Sequence, residues 1–210
     1  MALSGFFLMF FLLQHFSINL LSVLSPGAFN EVSQFMGTNF FVQGILQPVL
    51  MFGIIFHFIM AIVLEIQNRK ARPVKYFSSN HTGGSKLSKN MIYTGVAIML
   101  FMLLHLYDFW VHEMIVKYGQ GNMSGLNESG EFRYHEELVA KFQSITRVGI
   151  YIAAFIFLGL HTNHGFQSSF QSVGANHPKY TPLIKKIGFF YSVVIPAGFA
   201  FIALYHFLIH

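Results

Sequence analysis

The chain has 210 residues, of which 54% are hydrophobic and only 10% are charged, whereas soluble domains carry about 25% charged residues. A soluble core of this size cannot hide so much apolar surface, so the composition indicates a chain solvated by lipid. The net charge of +5 then bears on membrane topology, and no nucleic-acid partner is expected. The absence of cysteine excludes disulfides, thiolate zinc sites and iron–sulfur clusters held by this chain.

Five segments are long and apolar enough to cross a bilayer, because a spanning helix needs roughly 20 apolar residues. The first is not a convincing signal peptide, since it lacks a basic start and its apolar run is too long. Pro48 and Pro196 lie inside two segments, where membrane helices tolerate a proline with a kink. We predict an all-α membrane protein with residues 1–210 forming a single domain. The predicted spans are residues 3–24, 40–66, 91–112, 143–166 and 184–209.

The connecting segments differ in charge, and this difference predicts the orientation. Residues 67–90 and 167–186 carry six and three basic side chains and no acid. Residues 113–142, in contrast, carry five glutamates against three basic residues, and the Gly/Asn/Ser-rich stretch 119–130 is predicted to be an external loop. Loops rich in Lys and Arg remain in the cytoplasm. We therefore expect a cytoplasmic N-terminus and an external C-terminus.

Four of the 11 histidines lie in the interior of apolar spans, away from the span ends, one in each of the first four: His15, His57, His105 and His161. Polar groups inside a membrane are costly and mark functional positions. With a rise of about 1.5 Å per residue, the distance of each histidine from the start of its span gives its depth. The estimated depths place His57 and His161 in the inner half of the membrane, and His15 and His105 in the outer half.

Two histidine pairs at two depths on four helices match the requirement of two bis-histidine b haems, each with one imidazole on either face of the iron. Two such haems would form a path for electrons across the bilayer. Gly53 lies one turn before His57 and is expected to leave room for a flat macrocycle, whereas Phe11, Phe101 and Phe157 occupy the same offset before the other three histidines. The second nitrogen of each ring is expected to donate to a backbone carbonyl one turn earlier.

Other interpretations of the histidines stay open at this point. A single buried histidine is explained equally well by a hydrogen bond to a neighbouring helix. A di-iron enzyme requires tight histidine clusters, and only His161 and His164, in HTNH, come close. A transporter or a purely structural anchor would bind no haem, but the sequence shows no paired discontinuous segments.

Four segments around these histidines carry a family resemblance that covers essentially the whole chain. They are LLQH at 12–15, the His57 span ending in QNRKARPVKY, LLHLYDFW at 103–110 and HTNHGFQSSFQSVGANHPKY at 161–180. At these positions the chain resembles the cytochrome b subunit of succinate:quinone oxidoreductases, of the single-chain, five-helix, two-haem type. The last segment is similar to the Bacteroidetes branch of that family.

The resemblance implies a dihaem membrane anchor in a bacterial inner membrane, with four of its five helices forming the haem bundle. His57 and His161 would hold the proximal haem b, near the cytoplasmic subunits, and His15 and His105 the distal haem b. The implied partners are a flavoprotein with covalent FAD, which carries the dicarboxylate site, and an iron–sulfur protein on the cytoplasmic face. The basic loops fit a docking platform for these partners, but topology alone explains them equally well.

The resemblance also implies menaquinone as a substrate, near the distal haem. Glu31, in the connection before the second span, and Asp108, one turn beyond His105, are the candidate quinone-site residues. Glu31 is equally typical of a solvated loop acid, and Asp108 of a partner for Arg147. A cytochrome b subunit of another enzyme, such as a formate dehydrogenase or a hydrogenase, is the alternative function within electron transfer.

Overall fold

A computed structural model describes residues 1–71 and 91–209. Within these ranges the chain forms helices, and its only bridge between extended residues is an isolated antiparallel pair, Leu126 and Phe132. Five helices are long and apolar enough to cross a membrane, which confirms the predicted all-α membrane protein. They are α1 (Ala2–Leu24), α3 (Val42–Lys70), α4 (Met91–Gly119), α6 (Ile145–Ser172) and α7 (Thr181–Ile209).

The spanning helices extend beyond several of the predicted ends, because polar residues continue a helix after its apolar run stops. Helix α3 continues to Lys70, and its last turn holds two cations, which interact favourably with the C-terminal end of the helix dipole. Arg69 in that turn also pairs with Glu65 at 2.7 Å. Consecutive spans run in opposite directions, so we refer to the Met1 end of the bundle and to the opposite end.

Two short helices at the opposite end, α2 (Pro26–Thr38) and α5 (Tyr134–Phe142), replace segments predicted as connections. The start of α2 has a recognisable cap, since Ser25 accepts a hydrogen bond from the Ala28 N–H at 3.4 Å and proline occupies the first turn. Asn30 joins the two helices by accepting from the His135 N–H at 2.8 Å. Each helix also buries at least one apolar side chain. The apolar pattern of such short helices is weak in the sequence, so they were not predicted.

The apolar core lies between α6, α7 and α1, nearer the opposite end, and includes Phe155 and Phe199. Helix α7 continues through Pro196, which lacks an N–H and therefore cannot bond the Ser192 carbonyl. Gly159 of α6 packs against that carbonyl, because a Cβ at this position would lie 2.9 Å from Ser192 O. The proline and the glycine together allow a close approach of the two helix backbones.

A buried ionic network ties the end of α4 to α5. Arg133, only 5% exposed, bonds Glu113 at 2.5 Å and Glu137 at 2.7 Å. Burial opposes the charge of this guanidinium, but the two carboxylates outweigh it and hold the pKa of Arg133 above its ordinary value. Lys117, 4% exposed, pairs with Glu113 at 2.9 Å and donates to the carbonyl of Gly37 on α2. The network therefore fixes both short helices to the spanning bundle.

Candidate site formed by two histidine pairs

The four histidines of the spanning helices form two pairs. His57 of α3 lies beside His161 of α6, with ring centroids 6.4 Å apart and ring planes at 71°. His15 of α1 lies beside His105 of α4, with centroids 5.8 Å apart and planes at 86°. The structure thus contains both pairings that depth alone predicted, and each pair joins two different helices.

The centroid separations can be compared with the spacing that one shared metal ion requires. Two imidazoles on opposite faces of one iron have centroids about 6.4 Å apart, since each metal–nitrogen bond is about 2 Å long and each nitrogen lies about 1.2 Å from its ring centroid. The separation of 6.4 Å between His57 and His161 equals this value. The separation of 5.8 Å between His15 and His105 is shorter, so these two rings would have to move apart by about 0.6 Å to hold one iron. Among the described residues, no hydrogen bond joins the two rings of either pair, so a direct imidazole–imidazole bond does not explain the spacing.

A hydroxyl on a different helix holds His57. Ser4 Oγ of α1 lies 3.1 Å from His57 Nδ1 and 2.8 Å from the carbonyl oxygen of Met1. A carbonyl only accepts, so the hydroxyl donates to Met1 and accepts from the Nδ1–H of His57. This assignment leaves Nε2 of His57 without a proton, as a metal ligand requires.

His161 has the same arrangement on the other side of the pair. Thr94 Oγ1 of α4 lies 3.2 Å from His161 Nδ1 and donates to the carbonyl of Met91 at 3.0 Å. The neighbouring Gly95 borders the ring, since a Cβ there would lie 3.6 Å from His161 Cε1. The expected carbonyl one turn earlier on the same helix is therefore not the Nδ1 partner of His57 or His161, because hydroxyls of adjacent helices occupy that position.

The expected role of Gly53 is also wrong. Phe7 of α1 covers this glycine, and a Cβ at Gly53 would lie 2.6 Å from the Phe7 ring. The small residue thus accommodates a side chain of the neighbouring helix. Spacing along α3 could not reveal this contact, because it depends on how α1 lies across α3.

The pair at the opposite end has aromatic neighbours and an unpartnered nitrogen. Phe11 stacks on His15 with centroids 5.4 Å apart, and Phe101 lies 5.8 Å from His105. His105 Nδ1 is buried and has no hydrogen-bond partner among the described residues. A buried polar atom without a partner is costly, so this nitrogen is available to a ligand. Phe157, at the same offset before His161, is 42% exposed and makes no ring contact with His161 in the described part of the chain.

Further aromatic side chains around this pair were not predicted. Phe199 of α7 lies 5.6 Å from His15, and Phe109 and Tyr151 lie 5.2 and 6.2 Å from His105, each between ring centroids. With 26 phenylalanines in the chain, no spacing singles these residues out. They surround the pair with apolar surface and keep water from the imidazoles.

Asp108 is completely buried, beyond His105 on α4. Its Oδ1 accepts from Arg147 at 2.7 Å and its Oδ2 accepts from the Tyr151 hydroxyl at 2.8 Å. The pairing with Arg147, foreseen as the alternative to a quinone role, is thus present. A π-helical stretch, Leu106–Val111, carries Asp108, and such widened turns are frequent at functional sites.

Glu31 lies exposed on α2 and makes no hydrogen bond or ion pair within the described ranges. No contact joins it to Asp108 or to either histidine pair in those ranges. Its quinone role, like that of Asp108, stays a prediction.

The segment HTNH does not provide the ligands of a di-iron centre. The described residues contain no group of three or more His, Cys, Asp and Glu side chains that could hold a metal ion. Nε2 of His164 and Oδ1 of Asn163 are both buried without a partner in this part of the chain. The two pairs formed by the four histidines of the spanning helices are therefore the main candidate site.

Comparison with known proteins finds no matching family model, no matching curated protein and no matching solved structure. The family resemblance carried by the four sequence segments accordingly remains a prediction.

Proposed function

We propose that this chain is the dihaem cytochrome b anchor of a succinate:quinone oxidoreductase, which passes electrons between an iron–sulfur subunit and membrane quinone. The observation that carries the proposal is the convergence of four imidazoles from four spanning helices into two pairs, with centroids 6.4 and 5.8 Å apart. A hydrogen bond to a neighbouring helix, such as that between Ser4 and His57, accounts for the position of one ring but not for the two pairings.

The residues around each pair fit a b haem. His57 and His161 would hold the proximal haem and His15 and His105 the distal haem, each bound haem supplying one-electron chemistry. At the Met1 end, hydroxyl partners on Nδ1 orient both rings and leave Nε2 for the metal. At the opposite end, aromatic side chains exclude water, and His105 has an unused buried nitrogen.

The charges at the Met1 end support docking of soluble subunits there. The end of α3 carries Arg69 and Lys70, and the connection between α6 and α7 with the first turns of α7 carries Lys179, Lys185 and Lys186. The remaining basic residues of the predicted platform, in 72–90, lie outside the described residues. In this proposal, the Met1 end faces the bacterial cytoplasm and binds the iron–sulfur and flavoprotein (FAD) subunits. The C-terminus lies outside.

Menaquinone is the proposed electron partner near the distal haem, at the opposite end of the bundle. Asp108 supports this location, since it is a fully buried carboxylate one turn from His105. With both its oxygens bonded, Asp108 would act by holding Arg147 and Tyr151 in place. The same anchor serves succinate oxidation or fumarate reduction.

The experiment that tests the proposal is a reduced-minus-oxidised spectrum of the purified complex, combined with a pyridine haemochrome assay. We expect two b haems per chain, and one in His105→Ala. His177→Ala is the matched control, since this histidine is exposed and lies between α6 and α7. A folded, assembled preparation without haem would contradict the proposal.

The soluble subunits that copurify with the chain decide between the two electron-transfer functions. A flavoprotein and an iron–sulfur protein with succinate or fumarate activity support the proposal. A formate dehydrogenase or hydrogenase catalytic subunit would replace it with the alternative.

A further inference from the structure

A cavity of about 330 Å³ lies at the opposite end of the bundle, between α4, α5 and α6. Its volume is at the lower end of the range of ligand pockets. The lining combines polar and apolar side chains and contains no acidic residue. It consists of Leu104, Ala140, Lys141, Ser144, Thr146, Arg147 and Ile150.

The polar residues of the lining have unused hydrogen-bonding capacity. Lys141 makes no ion pair and no hydrogen bond within the described residues. The hydroxyl of Ser144, just before α6, makes no cap hydrogen bond, and that of Thr146 has no partner in the same ranges. The four polar side chains of the lining therefore offer an ammonium, two hydroxyls and part of a guanidinium to a ligand.

The charge of the cavity favours a monoanion. Asp108 neutralises Arg147 through the contact at 2.7 Å, so that guanidinium adds donors but no net charge. The ammonium of Lys141 is not neutralised by any residue of the lining. One phosphodiester carries a single negative charge and acceptor oxygens, which matches one uncompensated cation and several donors.

The position of the cavity fits a lipid. It lies where α6 begins, and the ends of spanning helices reach the level of the lipid headgroups. Since Arg147 contacts Asp108, residues Leu104 and Ile150 lie about one helical turn deeper in the membrane. The donors thus surround the headgroup level, and the apolar residues continue toward the acyl chains.

We propose that this cavity binds the phosphate of an anionic phospholipid. Lys141 neutralises the phosphodiester, and Ser144, Thr146 and Arg147 donate hydrogen bonds to its oxygens. Leu104 contacts the apolar part of the lipid. This site shares Arg147 with the proposed quinone site, but it contains none of the four histidines of the pairs and does not depend on haem.

Native mass spectrometry of the full chain in detergent tests the proposal, with phosphatidylglycerol and phosphatidylcholine of identical acyl chains as probes. We expect wild type to retain phosphatidylglycerol in preference to phosphatidylcholine. Lys141→Gln should lower retention about fivefold, the effect of one Lys near a lipid phosphate. Lys141→Arg should keep it. Lys179→Gln is the matched control, because Lys179 also lies in a connecting segment but at the Met1 end.

A second variant, Ser144→Ala with Thr146→Ala, removes donors without changing charge and should also weaken retention. Circular dichroism and elution volume show whether each variant is folded. If Lys141→Gln does not fold, lipid retention by the hydroxyl variant tests the proposal instead. Equal retention by wild type, Lys141→Gln and the hydroxyl variant would overturn the proposal. Displacement of the lipid by millimolar inorganic phosphate would overturn it too, since it would show a site for small anions.

Discussion

Ser4 Oγ lies 3.1 Å from His57 Nδ1, although the two residues are 53 positions apart in the chain. The hydroxyl donates to the Met1 carbonyl, so it accepts from the imidazole and sets which nitrogen carries the proton. Thr94 does the same for His161 at 3.2 Å. Two separate helices thus orient the two rings of one pair in the same way.

Loss of these hydroxyls should change the electronic properties of the proximal haem without removing it. A hydrogen bond from Nδ1–H makes the imidazole a more basic ligand, which favours the oxidised iron. Ser4→Ala and Thr94→Val should therefore each raise the midpoint potential of that haem by on the order of 40 mV, the equivalent of one net hydrogen bond for a one-electron couple. Spectroscopic redox titration measures the shift. Ser17→Ala is the control, since this hydroxyl donates to the Leu13 carbonyl on the exposed side of α1. Equal midpoint potentials in all variants would show that Ser4 and Thr94 do not tune the haem.

The pairing of the histidines predicts which double variants lose which haem. The double variant His15→Ala/His105→Ala should keep one haem per chain, because both substitutions affect the same pair. His15→Ala/His57→Ala should keep none, because each substitution affects a different pair. The haemochrome assay counts the haems. One haem remaining in the second variant would show that the pairs are assigned wrongly.

Asp108→Asn should lower both stability and quinone turnover. The asparagine leaves the buried end of Arg147 without its counter-charge, at a cost of about 1–3 kcal/mol. Glu31→Gln should leave the unfolding temperature unchanged, since Glu31 is exposed. Thermal unfolding in detergent and succinate:quinone assays separate the two effects. Wild-type turnover in both variants, with haem retained, would remove both residues from the quinone site.

Gly159→Ala should destabilise the bundle by about 1–3 kcal/mol, because the new Cβ would lie 2.9 Å from the Ser192 carbonyl oxygen. Gly149→Ala on the same helix is the matched control, since a Cβ there meets nothing within 4 Å. Both substitutions change helix propensity equally. The difference between their unfolding free energies therefore measures how closely α6 and α7 pack at Gly159. Equal unfolding free energies would contradict the close approach of the two helices.

Lys117→Met should cost about 3 kcal/mol, because it removes a buried cation from the network around Glu113. The effect should depend little on salt, since Lys117 is only 4% exposed and buried pairs are poorly screened. Lys70→Met, at the exposed end of α3, is the control. Unfolding at low and high ionic strength measures the loss of stability and its dependence on salt. A loss of stability that disappears in high salt would contradict the burial of Lys117.

The sequence by itself determined the five spanning helices and the shared depths of their histidines. Apolar length decides whether a segment spans, and a constant rise per residue converts position into depth. His15 therefore had to lie level with His105, and His57 with His161.

Only the tertiary structure decided the contacts between helices. Ser4 reaches His57, and Phe7 covers Gly53, because of how α1 lies across α3. Asp108 is buried because Arg147 and Tyr151 of α6 occupy its two oxygens. Depth is a property of one helix and can be read along the chain, whereas the rotation and lateral position of a helix depend on the packing of all its neighbours at once.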